Sequence, residues 1–238
     1  MARADEPGRR DVRIRIVSYN VHGLRDDQAA LASVVRAIAP DIAVVQEAPR
    51  RFRWRLKCAV LANSWDMRYA AGGLPSVGNL IVTSDRVRVH DTWCVRYLLT
   101  PGRHLRGAVF ARCSIGDVTF VVAGTHLATD DAERGGQARA FRQAMSAITE
   151  PIMVAVDVNE TSDGTSWTVL SDGLIDAGLV GEPSAEPATF PSSAPTRRID
   201  AIFVDPRYTI EAYEVVATPA ARAASDHLPL RVDLRIPA

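Results

Sequence analysis

Acids, amides and imidazoles recur in this chain immediately beside short apolar runs. Asn20 follows V-R-I-R-I-V-S-Y, Glu47 follows I-A-V-V-Q, His126 follows V-V-A-G-T, and Asp157 and Asn159 follow I-M-V-A-V. Asp200 opens the run A-I-F-V, and Asp226 and His227 precede L-P-L. Strand ends on a rigid scaffold are a common place for working side chains. If these ends meet at one edge of packed sheets, they bring carboxylates, amides and imidazoles together. Several carboxylates with amide oxygens make a hard, oxygen-rich site that suits Mg²⁺ or Mn²⁺ better than zinc. A hard cation there points to phosphate esters, because it neutralises phosphoryl oxygens. Histidines beside it can move a proton or hold a phosphoryl oxygen as imidazolium.

Taken singly, each residue has a plainer reading. Asn20 reads as a turn residue before Gly23, Glu47 as a capping acid before Pro49, and Asp157-Val158-Asn159 as a strand-end turn. His126 alone reads as a satisfied strand-end histidine. His22, His90 and His104 lack such company and read as histidines without a chemical role.

The elements that must position these residues are legible in the apolar periodicity. Val12, Ile14 and Ile16 alternate with Arg13 and Arg15, so Val12 to Tyr19 reads as a strand. Leu31, Val34, Val35 and Ile38 repeat at helical spacing behind a cap at Asp26 or Asp27, and Pro40 stops that helix. Ile42 to Gln46 is a buried strand. Arg50 to Leu61 reads as a second helix with Phe52, Leu56, Ala59 and Val60 as its apolar residues. Strands are expected over Asn79–Thr83, Val87–Trp93, Gly107–Ser114 and Val118–Gly124, the last two as a hairpin through Ile115-Gly116-Asp117. A helix over Ala132–Ile148, a buried strand over Ile152–Val156 and a helix near Ser166–Leu170 follow. A loop with four prolines, Pro183 to Pro195, precedes closing strands over Ile199–Val204, Tyr208–Ala217 and Pro229–Ile236. Strands outnumber helices, and many lack a helix between them. That favours layered mixed sheets with helices outside over a doubly wound parallel sheet.

Composition bounds the rest. The 238 residues are 47% hydrophobic and 24% charged, which excludes a disordered chain, a collagen-like repeat and a small disulfide scaffold. The reading is an N-terminal tail over residues 1–11, disordered, and one domain over 12–238. The 28 basic and 28 acidic residues cancel, so no overall field argues for nucleic acid or membrane. Cys58, Cys94 and Cys113 are odd in number and widely spaced, as for three reduced thiols. No apolar stretch follows the N-terminal arginines and none is long enough to span a bilayer, so a cytoplasmic protein without a transmembrane segment is expected.

Seven segments occur in a telling order: S-Y-N-V-H-G-L-R (Ser18 to Arg25), V-V-Q-E (Val44 to Glu47), G-N-L-I-V (Gly78 to Val82), G-T-H-L (Gly124 to Leu127), V-D-V-N (Val156 to Asn159), R-R-I-D-A-I-F-V (Arg197 to Val204) and S-D-H-L-P-L (Ser225 to Leu230). Together they resemble the endonuclease/exonuclease/phosphatase superfamily. Its members include pancreatic-type deoxyribonuclease, abasic-site endonucleases, bacterial sphingomyelinases and inositol-phosphate phosphatases. The resemblance runs from about Val12 to Ile236. It implies an α/β four-layer sandwich of two packed mixed β-sheets flanked by helices, and a Mg²⁺- or Mn²⁺-dependent phosphoesterase. It also implies roles: Glu47 as the principal metal ligand with Asn20 and Asp226 nearby, and Asp157 as the group that orients or deprotonates the attacking water. Asn159 would bind a phosphoryl oxygen or the metal's water shell. His227, oriented by Asp200, and His126 would contact the phosphate.

The chain departs from the family pattern in places. V-D-V-N stands where G-D-F-N is usual, a packing change that keeps both functional side chains. His22 stands where abasic-site endonucleases resemble N-G-L-R, which weakens that subfamily. Val82 to Arg86 only loosely matches a common L-S-R, so Asn79 is a weaker site candidate.

Nucleic acid is the favoured substrate. Arg50, Arg51, Arg53, Arg55 and Lys57 crowd just after Glu47, and Arg96, Arg103, Arg106 and Arg197-Arg198 follow. Ringed around the metal site they would grip a phosphate backbone, with Phe52 and Trp54 stacking on bases; the plainer reading of the first cluster is a solvated helix face with Phe52 and Trp54 in the core. The alternative is a phosphatase or phosphodiesterase on a small phosphoester such as a nucleotide, phosphosugar, inositol phosphate or lipid headgroup. A catalytically inactive binding protein that kept the fold is the remaining possibility.

Overall fold

A computed structural model describes residues 11–180 and 187–236. The expected N-terminal tail therefore lies outside the described residues except for Asp11, whose carboxylate accepts a hydrogen bond from Arg235 Nη1 at 2.6 Å. Pro183 also lies outside them.

In chain order the elements are β1 (Val12–Asn20), α1 (Gln28–Ile38), β2 (Ile42–Gln46), α2 (Trp54–Ser64), β3 (Arg68–Gly72), β4 (Leu80–Thr83), β5 (Arg88–Arg96), β6 (Gly107–Ile115), β7 (Val118–His126), α3 (Asp131–Met145), β8 (Ile152–Asp157), α4 (Thr165–Ser171), β9 (Ile175–Asp176), β10 (Asp200–Val204), β11 (Thr209–Val215), α5 (Pro219–Ala224) and β12 (Leu230–Ile236). They form two six-stranded mixed sheets, ordered β11-β12-β1-β2-β4-β3 and β5-β6-β7-β8-β10-β9. The sheets pack face to face. Ile14, Ile16 and Val44 of one meet Val109, Phe120, Val122 and Ile202 of the other in a dry layer. Gly124 marks the closest approach, since a Cβ there would lie 2.4 Å from Val44 Cγ1. On the outer face of the first sheet, Val17, Tyr19 and Val45 pack under α1, α2 and α5. On the outer face of the second, Phe110, Val154 and Phe203 pack under α3 and α4. The four-layer sandwich implied by the resemblance is present.

Local chemistry sets several boundaries. The Asp27 carboxylate accepts from the amides of Ala29 and Ala30, both at 2.9 Å, and starts α1. Ala39, in the left-handed region, ends it before Pro40. Gly116, also left-handed, turns the β6–β7 hairpin. All three cysteines are free.

Three expectations change. The second helix begins at Trp54 rather than Arg50, because Arg53 sits at a φ of 56° and breaks the run. Its expected apolar face is not in the core: Phe52, Leu56 and Val60 are 79%, 58% and 59% exposed. Cys58, Leu61 and Ala62 are buried instead. Three short elements, β3, β9 and α5, also appear where none was expected. No helix among the described residues is long and apolar enough to cross a membrane.

Candidate active site

The register brings the strand ends together. β7 and β8 run parallel with His126 opposite Asp157, and β8 and β10 run antiparallel with Asp157 opposite Asp200. His126, Asp157 and Asp200 therefore sit side by side on three neighbouring strands. On the facing sheet, β1 and β2 end level, with Asn20 opposite Gln46 and Glu47 next in the chain. Asp226 and His227 arrive on the loop before β12. Ser225 ties that loop down, its Oγ donating to the Asn20 carbonyl at 2.7 Å.

A continuous network joins the buried side chains. Asn20 Oδ1 accepts from the His22 amide at 3.0 Å, which fixes the amide so that Nδ2 donates to Asp157 Oδ2 at 2.8 Å. Asn159 Nδ2 donates to the Leu127 carbonyl at 3.0 Å and to His126 Nε2 at 2.9 Å. His126 Nε2 is therefore an acceptor, and its ring proton is on Nδ1. The same Nε2 lies 3.2 Å from Asp157 Oδ2. Two acceptors at that distance need a proton between them. Asp157 supplies it: burial and the neighbouring Asp200 push its carboxyl up to about 7, against His227, Asn20 and Asn159. Burial, with Arg106, His227 and Arg50 adding to it, holds His126 well below the usual imidazole range, so it is neutral.

His227 is the opposite case. Its Nδ1 donates to Asp200 Oδ2 at 2.9 Å, and its Nε2 lies 3.9 Å from Asp157 Oδ2. Burial alone would lower its pKa, but Asp200 outweighs burial and, with Asp157 and Asp226, lifts it to about 10. Asp157, Asp200 and His227 offer atoms within 4.8 Å of one another. With no metal bound, the raised pKa values of His227 and Asp157 let this trio hold protons at neutral pH.

The oxygen donors lie elsewhere. Glu47 and Asn159 both hold φ values near +56°, a strained conformation outside glycine that re-aims the side chain after the strand ends. Half-buried Glu47 makes no hydrogen bond or ion pair among the described residues, apart from its pull on Arg106. It opens with Asp226 onto a cleft of about 1110 Å³. An unpaired carboxylate, a second acid and the amide oxygen of Asn20 fit a hard divalent cation.

The cleft also holds two histidines for which the sequence suggests no chemical role. His22 and His104 line it. Arg106 lines it too, with Nε buried and unpartnered among the described residues, and burial lowers its pKa against the pull of Asp157 and Glu47. Arg134 is buried. Its Nη1 donates to the carbonyls of Ala128, Thr129 and Asn159 at 3.2, 3.1 and 2.9 Å. His90 instead bonds Ser114 Oγ at 2.8 Å, away from the site. Asn79 is tied by Nδ2 to the carbonyls of Ser76 and Gly107, a scaffold role. The proline loop does reach the site: Phe190 tilts against His227 with ring centroids 4.9 Å apart, and the Ser192 amide bonds the Asp226 carbonyl.

The expected ring of cations is only partly present. Arg50, Arg51, Lys57 and Arg106 line the cleft, joined by Arg25. Arg53 and Arg55 lie over the neighbouring rings of Phe52 and Trp54, Arg96 is bonded to the carbonyls of Leu74 and Pro75, and Arg103 pairs with Asp130. Arg198 is buried against Asp176 and the Trp167 ring. Trp54 packs on Gly73 and the helical core, so only Phe52 is left exposed for stacking.

The family model described as "Endonuclease/Exonuclease/phosphatase family" matches residues 17–227, from β1 to His227. The chain belongs to the endonuclease/exonuclease/phosphatase family. Members of that family are hydrolases of phosphoesters and generally depend on a divalent metal. An endonuclease/exonuclease/phosphatase family protein from Bacteroides thetaiotaomicron is similar in structure, with a TM-score of 0.80 and 19% identity over 96% of this chain and 99% of that one. The mannosyl-6-phosphatase Bt3783 of the same organism gives 0.76 and 18% over 93% and 99%. D. rerio TDP2 complexed with a single-strand DNA product gives 0.74 and 19% over 94% and 99%. At these identities the likeness is one of fold. No curated protein matches the chain.

Proposed function

We propose that the chain is a Mg²⁺- or Mn²⁺-dependent phosphodiester hydrolase that cleaves nucleic acid by attack of water on phosphorus. The observation that carries this reading is the charge of the cleft. Among the described residues that line it, Arg25, Arg50, Arg51, Lys57 and Arg106 face two acids, Glu47 and Asp226, more positive charge than one phosphate needs. A polyphosphate backbone uses such a wall. The fold it shares with a TDP2 bound to single-strand DNA product is in keeping.

Glu47, Asp226 and Asn20 would hold the cation, which when bound neutralises phosphoryl oxygens. Asp157, once it has lost the proton shared with His126, takes a proton from the attacking water. His227, charged and held by Asp200, donates from Nε2 to a phosphoryl oxygen. Neutral His126 has its Nδ1 proton to donate, and Asn159 keeps its ring in place. These preset donors meet negative charge as it grows in the transition state.

A substrate panel tests the reading: DNA, RNA, nucleotides, phosphosugars, inositol phosphates and phospholipids, each with Mg²⁺ and with Mn²⁺. Turnover of nucleic acid at a rate that falls steeply with added salt is expected. Turnover confined to a small phosphoester, insensitive to salt, would reassign the substrate.

A further inference from the structure

His22 stands in the turn after β1 with its backbone in the left-handed region, at a φ of 45°. Its ring bridges two carboxylates: Nδ1 lies 2.7 Å from Asp26 Oδ2, and Nε2 lies 3.7 Å from Asp226 Oδ2. With the Nδ1 proton given to Asp26, Nε2 presents a lone pair towards Asp226. The Arg25 guanidinium lies 3.5 Å from the same nitrogen, closer than Asp226, and a bound cation would take its place there. The next residue borders Glu47, since a Cβ on Gly23 would lie 3.9 Å from Glu47 Oε2. A nitrogen lone pair and a carboxylate oxygen that face each other across 3.7 Å leave room for one cation at about 2.0–2.2 Å from each. A carboxylate that takes the other ring proton is the usual outer partner of a ligating imidazole.

We propose that His22 is a metal ligand, and that it makes the cation site favour transition-metal dications such as Mn²⁺ and Co²⁺ over Mg²⁺. The inference rests on the cation site proposed at Glu47 and Asp226. Asp26 is the positioning residue, fixing the ring so that Nε2 faces the site. Mg²⁺ gains little from exchanging an oxygen donor for nitrogen, whereas transition metals accept imidazole readily. An imidazolium clamped between Asp26 and Asp226 is the competing state, and it would leave metal preference unchanged.

Calorimetric titration of Mg²⁺, Mn²⁺ and Co²⁺ into metal-free protein decides between them, with circular dichroism as a check on folding. His22→Ala is expected to weaken Mn²⁺ and Co²⁺ by roughly tenfold or more and to change Mg²⁺ by less than about threefold. His22→Asn, which suits the left-handed backbone, should likewise tilt the site towards Mg²⁺. Asp26→Asn should weaken Mn²⁺ in the same direction. The visible spectrum of bound Co²⁺ should shift in both His22 variants. An unchanged Mn²⁺ to Mg²⁺ ratio in the His22 variants, with binding abolished by Glu47→Gln, overturns the role of His22 and leaves the cation site standing. No binding of any of the three ions by the wild-type protein overturns both.

Discussion

Asn20 Nδ2 and Asp157 Oδ2 meet at 2.8 Å across the interface of the two sheets, 137 residues apart in the chain. This bond couples the half of the site with the oxygen donors to the half with the proton-holding groups. Asn20→Ala removes a donor that favours the charged Asp157. The acid limb of kcat/KM should then move to higher pH, because Asp157 must be unprotonated to act as base. A bound cation pulls the same limb down, so in the loaded wild type it should fall at or below about 7. Chemical denaturation should show a loss of about 1–3 kcal/mol, because the buried carboxyl keeps the Asn159 amide and His126 but loses one donor.

The His227–Asp200 pair sets a pH dependence of stability. His227 has its pKa raised to about 10 in the folded chain, above the unfolded value of 6.5. Folding therefore favours its protonated form. That stabilisation is fully present below pH 6.5 and is lost as pH rises towards 10. Asp157, raised from 3.8 to about 7, adds a loss of the same sign as pH rises between those values. Asp200→Asn should remove the His227 contribution, so the Tm gap to wild type should be wide near neutral pH and narrow towards pH 10. The same variant should lower kcat by roughly 10²–10³, the usual cost of one misplaced transition-state donor.

Arg134 holds the carbonyls of Ala128 and Thr129, just after His126, against that of Asn159. Arg134→Met leaves the carbonyls of buried Ala128 and half-buried Asn159 short of a donor, along with that of exposed Thr129. Stability should fall by about 2–5 kcal/mol, and kcat should fall in the protein that remains folded, because His126 and Asn159 lose their common anchor. Thermal melts and single-turnover rates check the two effects separately.

Arg51 and Lys57 line the cleft and make no side-chain hydrogen bond or ion pair to the scaffold among the described residues, whereas Arg50 donates to the Val77 carbonyl at 3.1 Å. Arg51→Gln and Lys57→Gln should each weaken DNA binding and reduce the slope of log affinity against log salt by about 1. Their effect should appear mainly in KM. Arg50→Gln should also lower the melting temperature, because it serves both cleft and scaffold.

The fold was readable wherever one physical signal dominated. Alternation in V-R-I-R-I and the helical spacing of Leu31 to Ile38 behind Asp27 gave β1 and α1 nearly to the residue. β3 was missed because R-Y-A-A-G has little β-branched content, and α5 because P-A-A-R-A-A is short, though Thr218 and Pro219 are a cap and a first-turn proline. The second helix was misplaced because its apolar residues lie on the solvent side, so periodicity pointed to the wrong face. All eight candidate residues lie around one region of the sandwich rim, since each marks a strand end and the strand ends converge. His22 and Arg134 carried no local signal, and Arg106 stood out only as one of several cations expected around the site. Their place depends on how a turn, a long connection and a helix fold back over those ends, which only tertiary structure shows.

Cleavage of supercoiled plasmid by purified protein bears most directly on the proposed activity, with Mg²⁺, with Mn²⁺ and with chelator, beside Asp157→Ala and His227→Ala. Nicking that requires the cation and falls by roughly 10²–10⁴ in the folded variants is expected. Nicking that survives chelation, or that the Asp157 variant performs at the wild-type rate, would contradict the assignment of this site as a metal-dependent phosphodiesterase.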